Sequence, residues 1–199
     1  MPAPPLNALL LAGGRSRRMT RDKATLVYEG KTQLKRTTDL LRQFCPAIYL
    51  SLRKGQHAPD KKCDLPVIED SFGEIGPLGG ILSAFSTHPN EAWLVVACDL
   101  PLLSENVLRH LLRERDSSRI ATAYRSSHDN LPEPLCTIYE PRAFIQMQRI
   151  YKQEKVRCPR KILLQTEPKL LHPIDPRALD NVNTPEEYEK VITNLVTEA

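Results

Sequence analysis

Residues 9–23 read Leu-Leu-Leu-Ala-Gly-Gly-Arg-Ser-Arg-Arg-Met-Thr-Arg-Asp-Lys, a short apolar run that breaks at two adjacent glycines. The segment after the glycines, 15–23, holds four arginines and one lysine. Glycine tolerates positive φ and exposes backbone N–H groups, and the cations offset the charge of a polyphosphate. The stretch therefore predicts a buried strand followed by a phosphate-binding loop. The alternative is a solvated basic turn after an edge strand.

The spacing of this loop excludes two common phosphate-binding motifs. Gly-x-x-x-x-Gly-Lys-Ser/Thr does not fit, because Lys23 is followed by Ala24 and lies nine residues after Gly14. Gly-x-Gly-x-x-Gly does not fit either, because the two glycines are adjacent. What remains is a longer loop whose lysine lies far from its glycines.

Length and charge limit the possible folds and ligands. The 199 residues, 41% of them hydrophobic, allow one sizeable core, so we predict a single domain over 1–199. The net charge of +4 is mild, and aromatic residues make up only 6% of the chain. A nucleic-acid surface needs a wider basic stripe with interleaved aromatic residues. The composition therefore favours a polyanionic small molecule over nucleic acid.

Cysteine usage and the start of the chain indicate the compartment. The five cysteines never form Cys-x-x-Cys and the five histidines are scattered, so no zinc pattern is present. An odd number of cysteines argues against a secreted disulfide framework. The first residues lack the basic start of a signal peptide, and the apolar run after them is far below membrane-spanning length. We expect a cytoplasmic protein that does not bind membranes.

Strand, helix and strand alternate three times in the first part of the chain. A strand is predicted at 6–12, and the unbroken apolar run at 8–12 within it implies that both faces are covered, as in parallel sheets. Further strands are predicted at 47–52, 66–69, 93–98 and 120–124, with helical spacing between them. The alternation predicts an α/β fold, a Rossmann-like three-layer sandwich with a mostly parallel central sheet.

The signals weaken after Arg125. A strand at 135–139 and a helix at 143–151 are predicted, whereas 162–165 is too short to assign. Seven prolines between 132 and 176 imply a segmented, loop-rich region. The sequence Thr184-Pro185-Glu186-Glu187 is a capping box with proline at the first helical position, which predicts a terminal amphipathic helix.

Three of the predicted strands are followed by polar features. These are the basic loop that begins at Gly13-Gly14, the carboxylate of Asp70 and the carboxylate of Asp99. In doubly wound sheets, ligands bind beyond the carboxyl ends of the strands. Asp99 ends the most apolar strand, where a carboxylate is costly unless it is paired or binds a metal. We therefore predict that Asp99 is a magnesium ligand. The alternative is an aspartate that caps a helix or braces a loop.

The loop at 11–23, Leu-Ala-Gly-Gly-x-Ser-x-Arg-Met-x-x-Asp-Lys, resembles the signature of the molybdenum cofactor guanylyltransferase family, the MobA-like nucleotidyltransferases. Later segments match in the same order: Ile-Glu-Asp at 68–70, Gly-Pro-Leu-Gly-Gly-Ile at 76–81, Cys-Asp-Leu-Pro at 98–101 and Asn-Val-Asn-Thr-Pro-Glu-Glu at 181–187. The segment between about 125 and 180 matches poorly.

The resemblance implies a nucleotide-diphospho-sugar transferase-like fold and Mg²⁺-dependent transfer of GMP from GTP to the phosphate of molybdopterin, with release of pyrophosphate. It implies a nucleotide-binding half at about 1–124, and an acceptor-binding half with a closing helix at about 125–199. Other molybdenum cofactor biosynthesis enzymes are implied as contacts. Alternatives are the use of CTP, or a sugar phosphate or cobinamide phosphate as acceptor. Two further alternatives are a non-catalytic nucleotide-binding regulatory module and a basic nucleic-acid binder.

The resemblance also implies site residues. The catalytic set is Lys23, Asp99 and Arg18; the metal ligands are Asp99 and Asn183, with Asn181 as the alternative to Asn183. The nucleotide-binding set is Leu11, Ala12, Gly13, Gly14, Lys23, Ser51, Asp70, Gly79 and Asp99.

Several of these assignments have alternatives. Asp70 could accept the adjacent N1–H and N2–H donors of guanine, contact ribose or brace the turn at Gly76. Gly79 and Gly80 could let the base approach the backbone or simply start a helix. Asn183 could face the acceptor, or satisfy the turn entering the last helix. Two residues depart from the family pattern: Thr20 stands in place of glycine, and Ser51 in place of asparagine.

Overall fold

A seven-stranded sheet forms the centre of the molecule in the computed structural model, which describes residues 3–13, 23–60 and 63–197, with side chains as far as 193. A two-stranded hairpin lies outside the sheet. The strands are β1 (Leu6–Leu11), β2 (Val27–Tyr28), β3 (Lys31–Thr32), β4 (Ile48–Leu52), β5 (Val67–Glu69), β6 (Ala92–Ala97), β7 (Ala121–Arg125), β8 (Pro132–Tyr139) and β9 (Lys169–Leu171). The helices are α1 (Gln33–Leu41), α2 (Pro77–Thr87), α3 (Glu105–Arg113), α4 (Arg142–Glu154), α5 (Pro159–Leu164) and α6 (Pro185–Thr197).

The strand order of the sheet is β5-β4-β1-β6-β8-β7-β9. All neighbours are parallel except the two pairs made by β8, so a mostly parallel sheet is confirmed. In the register, Leu10 lies opposite Leu50 on one side and Val96 on the other. Because β5, β4, β1 and β6 run in the same direction, their carboxyl ends meet at one edge of the sheet.

Alternate residues of β1 face two separate cores, as expected for a strand buried on both faces. Ala8 and Leu10 pack with apolar residues of α1 and α3. Leu9 packs with apolar residues of α2, α4 and α5 on the opposite face. The sandwich therefore has three layers, and the six residues of β1 lie at its centre.

A third, smaller cluster attaches the last helix to the β2–β3 hairpin. Leu26, Tyr28, Val182 and Val191 are buried together, and the Tyr188 hydroxyl donates to the Val27 carbonyl at 2.8 Å. These contacts bring the segment before α6 back to the start of the chain. The predicted amphipathic terminal helix is confirmed, and its packing places 181–183 beside residue 23.

The region after Arg125 is segmented, as predicted, and the strand predicted at 135–139 and the helix predicted at 143–151 are confirmed. The eight residues of β8 and the thirteen of α4 are regular, and α5 and β9 follow them. Pro132 and Pro134 are tolerated because both precede Cys136, the first residue of β8 in register with β6. Their missing N–H groups therefore do not interrupt the central part of the ladder. No helix of the described chain has the length and apolar character needed to cross a membrane.

Candidate functional site

A cavity of about 460 Å³ opens at the carboxyl ends of β5, β4, β1 and β6. Seven of the predicted site residues line it: Leu11, Ala12, Gly13, Lys23, Ser51, Asp70 and Asp99. The bend after β1 and the carboxylate after β6 thus open onto one space. Gly79 lies behind Asp70, and Asn183 reaches the site through Lys23. Gly14 and Arg18 lie outside the described residues.

The backbone after β1 offers one free donor to the cavity. The Ala12 N–H donates to the Ser51 carbonyl at 3.2 Å and so continues the sheet ladder. The Gly13 N–H makes no hydrogen bond to any other described residue. Of these two amides, only that of Gly13 is available for an anionic ligand.

Arg53 and Gln56, which sequence reasoning missed, brace this bend from the loop after β4. The Gln56 side-chain amide donates to the Ala12 carbonyl at 3.1 Å, and its oxygen accepts from Arg53 Nε at 3.2 Å. Because the peptide group is planar and trans, fixing the Ala12 carbonyl also fixes the direction of the Gly13 N–H. The isolated sequence Leu-Arg-Lys-Gly-Gln at 52–56 carries no periodicity that could have revealed this role.

The Lys23 ammonium group bridges an acidic side chain, Asp99, and an amide side chain, Asn183. Its ammonium nitrogen lies 2.8 Å from Asp99 Oδ2 and 2.7 Å from Asn183 Oδ1. The Lys23 and Asp99 side chains are only 17% and 22% exposed, so the pair is partly shielded from solvent. Asp99 therefore pairs with a cation at the end of the basic loop.

The backbone of Asn183 is held firmly at the entrance to α6. The predicted capping box is confirmed, since Thr184 Oγ1 accepts from the Glu187 N–H and Glu187 Oε2 accepts from the Thr184 N–H, both at 3.2 Å. The same carboxylate accepts from the Asn183 N–H at 2.6 Å. One residue earlier, the Val182 N–H donates to the Asp99 carbonyl at 3.2 Å. These bonds fix Asn183 next to Asp99, although 84 residues separate them in sequence.

Asp70 ends β5 at the other side of the cavity. Burial raises the pKa of its carboxyl group, and the Phe72 N–H, which donates to Oδ1 at 2.8 Å, opposes that rise only in part. Its carboxylate packs directly on the first turn of α2: a Cβ on Gly79 would lie 2.1 Å from Oδ2 and 2.6 Å from Cγ. The close approach at Gly79 is therefore made by Asp70. Asp70 thus accepts from the turn at 70–72 and also packs on the turn that begins at Gly76, where the Gly79 N–H donates to the Gly76 carbonyl at 2.9 Å.

Gly80 has a similar packing role one residue later. A Cβ there would lie 2.4 Å from Ser51 Oγ and 3.0 Å from Leu11 Cδ2. The first turn of α2 can approach the ends of β1, β4 and β5 only because both positions lack a side chain. Adjacent glycines in a helix start thus signal close packing against the site.

We expect Gly79→Ala to lower the free energy of unfolding by about 2 kcal/mol, because the new methyl group displaces the Asp70 carboxylate. Urea unfolding measures the change. Asp70→Ala removes the clashing atoms, so the double variant Asp70→Ala/Gly79→Ala should lose clearly less than the sum of the single variants. If the changes in the free energy of unfolding of the two single variants simply added up in the double variant, Asp70 and Gly79 would not be in contact.

The charges, N–H donors and oxygen atoms of this site determine which ligands it can bind. A lysine and a free backbone N–H suit a polyphosphate, and the oxygens of Asp99 and Asn183 suit a small, hard cation. No group of three or more histidine, cysteine or acidic residues that could bind a metal occurs among the described residues. A cation here would consequently take most of its ligands from water and from the phosphates of a bound substrate, as Mg²⁺ usually does.

Known proteins are similar to this chain in sequence and in fold. The profile of the MobA-like NTP transferase domain matches residues 8–169. A probable molybdenum cofactor guanylyltransferase of Methanosarcina acetivorans is 32% identical, with 96% of this chain and 91% of that protein covered. A molybdenum cofactor biosynthesis bifunctional protein of Synechocystis sp. is 34% identical over 94% of this chain, which spans 54% of that longer protein.

A solved crystal structure has the same fold as this chain. The crystal structure of molybdopterin-guanine dinucleotide biosynthesis protein A from Archaeoglobus fulgidus superposes with a TM-score of 0.75, covering 96% of this chain and 99% of that one. At 21% identity it establishes the fold alone. The family match extends from β1 to the first residue of β9 and includes every strand whose end lines the cavity. The chain belongs to the MobA-like NTP transferase domain family.

Proposed function

We propose that this protein transfers GMP from GTP to the phosphate of molybdopterin, forming the guanine dinucleotide cofactor and pyrophosphate. The observation that carries the proposal is the single cavity shared by Gly13, Lys23, Asp70 and Asp99. Relatives named as molybdenum cofactor guanylyltransferases support the choice of nucleotide and acceptor. The protein is thus a nucleotidyltransferase with a base-binding end near Asp70 and a phosphate-binding end near Asp99.

The chemistry needs no nucleophilic side chain, because the acceptor phosphate is already ionised at neutral pH. One of its oxygens attacks the α-phosphorus of GTP, a new P–O bond forms, and the bond from the α-phosphorus to the bridging oxygen breaks with pyrophosphate leaving. Lys23 and the Gly13 N–H bind the phosphates, offset the repulsion between the two anions and align the attack. Arg18, which matches the family motif, completes the cationic set in this proposal.

Enzymes of this family generally use a divalent cation, and we propose Mg²⁺. The donor set fits, because the Asp99 and Asn183 oxygens already converge on one cationic group, the Lys23 ammonium. When bound, the ion would neutralise charge that develops on the leaving pyrophosphate. Asp99 would hold it directly, and Asn183 would complete the protein's share of its ligands.

The base lies at the Asp70 end in this proposal, where the carboxylate accepts the N1–H and N2–H donors of guanine. We expect Asp70→Asn to weaken GTP binding between about 10-fold and 100-fold, because hydrogen bonds to charged groups contribute about 1.5–3 kcal/mol. Calorimetry with GTP and with ITP, which lacks the 2-amino group, measures the change. The wild type should prefer GTP, and the variant should not.

The pKa of Asp70 adds a second readout. Because burial raises that pKa, lowering the pH protonates Asp70 earlier than an exposed aspartate, and GTP affinity should fall in step. Asp70→Asn should show no such fall in acid. A GTP preference that survives in the variant would move the base away from Asp70.

Gln56 acts on the reaction only by positioning the bend. We expect Gln56→Ala to weaken GTP binding about fivefold, because one neutral hydrogen bond contributes about 1 kcal/mol. Affinity for guanosine, which carries no phosphates, should not change. Gln43→Ala, on the turn after α1, is the matched control. Equal losses for GTP and guanosine would show that Gln56 supports the site as a whole.

The acceptor side is proposed for residues 125–199. Leu135 of β8 lines the cavity beside β6, and Asn183 approaches it from the entrance to α6. A partner enzyme of molybdenum cofactor biosynthesis would deliver molybdopterin to this side. We place the reaction in the cytoplasm, because an odd number of cysteines does not suit the disulfide framework of a secreted protein.

The decisive experiment incubates the protein with Mg²⁺ and each of the four nucleoside triphosphates, with and without molybdopterin, and measures pyrophosphate. We expect release only with GTP and molybdopterin together. Release with CTP, or with a sugar phosphate or cobinamide phosphate in place of molybdopterin, would identify another transferase of this family. Tight GTP binding without turnover under any condition would identify a regulatory module.

A further inference from the structure

The same two oxygen atoms that suit a metal ion are already occupied by a cation of the protein itself. Lys23 Nζ lies 2.8 Å from Asp99 Oδ2 and 2.7 Å from Asn183 Oδ1, which are hydrogen-bond distances for an ammonium group. The three residues come from the end of the basic loop, the segment after β6 and the entrance to α6. The ammonium group therefore lies where a divalent ion would have to bind.

We propose that the Lys23 ammonium and the divalent cation compete for this position, so that the metal binds only where Lys23 has left, a move that the triphosphate of the nucleotide favours. The proposal rests on the proposed function for the identity of that triphosphate. It adds a competition: in nucleotide-free protein the lysine weakens metal binding, and the nucleotide relieves that competition.

Mutual exclusion follows from size and charge. Mg²⁺ binds oxygen at about 2.1 Å, so both side chains would have to close on a point that the ammonium now fills. Two positive charges at such short range repel, and the partial burial of this pair weakens screening by solvent. Lys23 and the metal therefore cannot share Asp99 in the arrangement seen here.

A triphosphate is the ligand expected to move the lysine. It presents several anionic oxygens, whereas Asp99 presents one carboxylate, and Lys23 and Asp99 line the same cavity. The flexible stem of lysine lets the ammonium swing without moving the backbone. Asn183 would keep its place during this exchange, because its N–H remains bonded to Glu187.

The test measures Mn²⁺ binding to nucleotide-free protein from the electron paramagnetic resonance signal of the free ion. Lys23→Met removes the charge and keeps most of the stem. We expect the variant to bind Mn²⁺ at least about tenfold more tightly than wild type. A change of this size lies within the usual range for two groups that influence each other's binding, here the Lys23 ammonium and the metal. Lys23→Met/Asp99→Asn should lose that gain. Lys35→Met, which removes an exposed lysine paired with Asp39, is the matched control and should equal wild type.

A second measurement uses the unaltered protein and so does not depend on the folding of a variant. Amine acetylation followed by mass spectrometry reports how accessible Lys23 is, with Lys35 as the internal reference. Adding Mn²⁺ without nucleotide should speed the labelling of Lys23 and leave Lys35 unchanged.

Two results would overturn the proposal: no tighter Mn²⁺ binding in a folded Lys23→Met variant, or Mn²⁺ bound at Asp99 with Lys23 labelling unchanged. Neither readout requires GTP or turnover. A protein that fails to transfer GMP would therefore contradict the proposed function and leave the competition between Lys23 and the metal to be judged by these two readouts. Failure of both readouts would contradict the competition and leave the proposed transfer of GMP unaffected.

Discussion

Asp99→Ala is expected to lower pyrophosphate release with GTP and molybdopterin by at least about 1,000-fold, the loss expected when a group that stabilises transition-state charge is removed from a shielded site. Asp99 offers the only carboxylate in contact with Lys23 among the described residues, and its carbonyl anchors the segment before α6. A coupled assay for pyrophosphate measures the rate, and thermal unfolding followed by circular dichroism tests whether the fold is kept.

The fold should survive this substitution, because the Asp99 carbonyl and its bond to the Val182 N–H are unaffected. Asp99→Asn keeps the shape and should lose nearly as much activity, since it removes the charge. Asp39→Ala, on the exposed side of α1, is the matched control and should keep full activity. Unchanged turnover in Asp99→Ala would remove Asp99 from the reaction and defeat its assignment as a metal ligand.

Lys23→Ala is expected to weaken GTP binding about 30-fold when no divalent ion is present. The ammonium group supplies a charge-assisted hydrogen bond to phosphate, and such bonds contribute about 2 kcal/mol. Chelating all metal matters for this measurement, because the variant also frees Asp99 and Asn183 for a cation. Calorimetry with EDTA measures the affinity, and guanosine, which lacks phosphates, should bind the variant and the wild type equally.

Lys31→Ala serves as the control for Lys23→Ala, because Lys31 lies in the exposed β2–β3 hairpin, close in sequence. An unaltered GTP affinity in Lys23→Ala would take the lysine out of the phosphate site. It would also leave the pairing with Asp99 and Asn183 as a purely structural contact. The two variants differ in what they disturb: Asp99→Ala acts mainly on the rate, and Lys23→Ala mainly on nucleotide binding.

Taken together, these variants separate an enzyme from a nucleotide-binding regulatory module. A module needs Lys23 for binding but has no use for Asp99 beyond the pairing seen here. If GTP binds tightly, Lys23→Ala weakens it, and no combination of acceptor and metal yields pyrophosphate, the module is the better description. The intact set of Gly13, Lys23 and Asp99 in one cavity favours the enzyme.

The sequence alone predicted the layered fold and seven of the residues that line the cavity. Apolar runs predicted β1 and β6, because a strand that is buried on both faces lacks the alternating polar residues of a half-exposed strand. Polar residues at the ends of those strands marked the binding edge, since parallel strands bring their carboxyl ends together. Local patterns also identified the capping box at Thr184 and Glu187, whose bonds span only a few residues.

The half of the chain after Arg125 was harder to interpret. Seven prolines suggested loops, yet a proline ends a strand only where the neighbouring strand needs its N–H. That need depends on the register between β8 and β6, which no local window contains. The insertion of β8 as the one antiparallel strand of the seven-stranded sheet has the same origin.

Only the tertiary structure decided how the site residues meet. Gln56 orients the bend at Gly13 from another loop, Asp70 packs into the space left by Gly79, and Lys23 bridges Asp99 and Asn183. Each of these contacts joins residues that are distant in sequence, so their side-chain directions follow from strand order, helix packing and the docking of α6. Periodicity and motif spacing describe one segment at a time, and a contact between segments is fixed only when the whole core has closed.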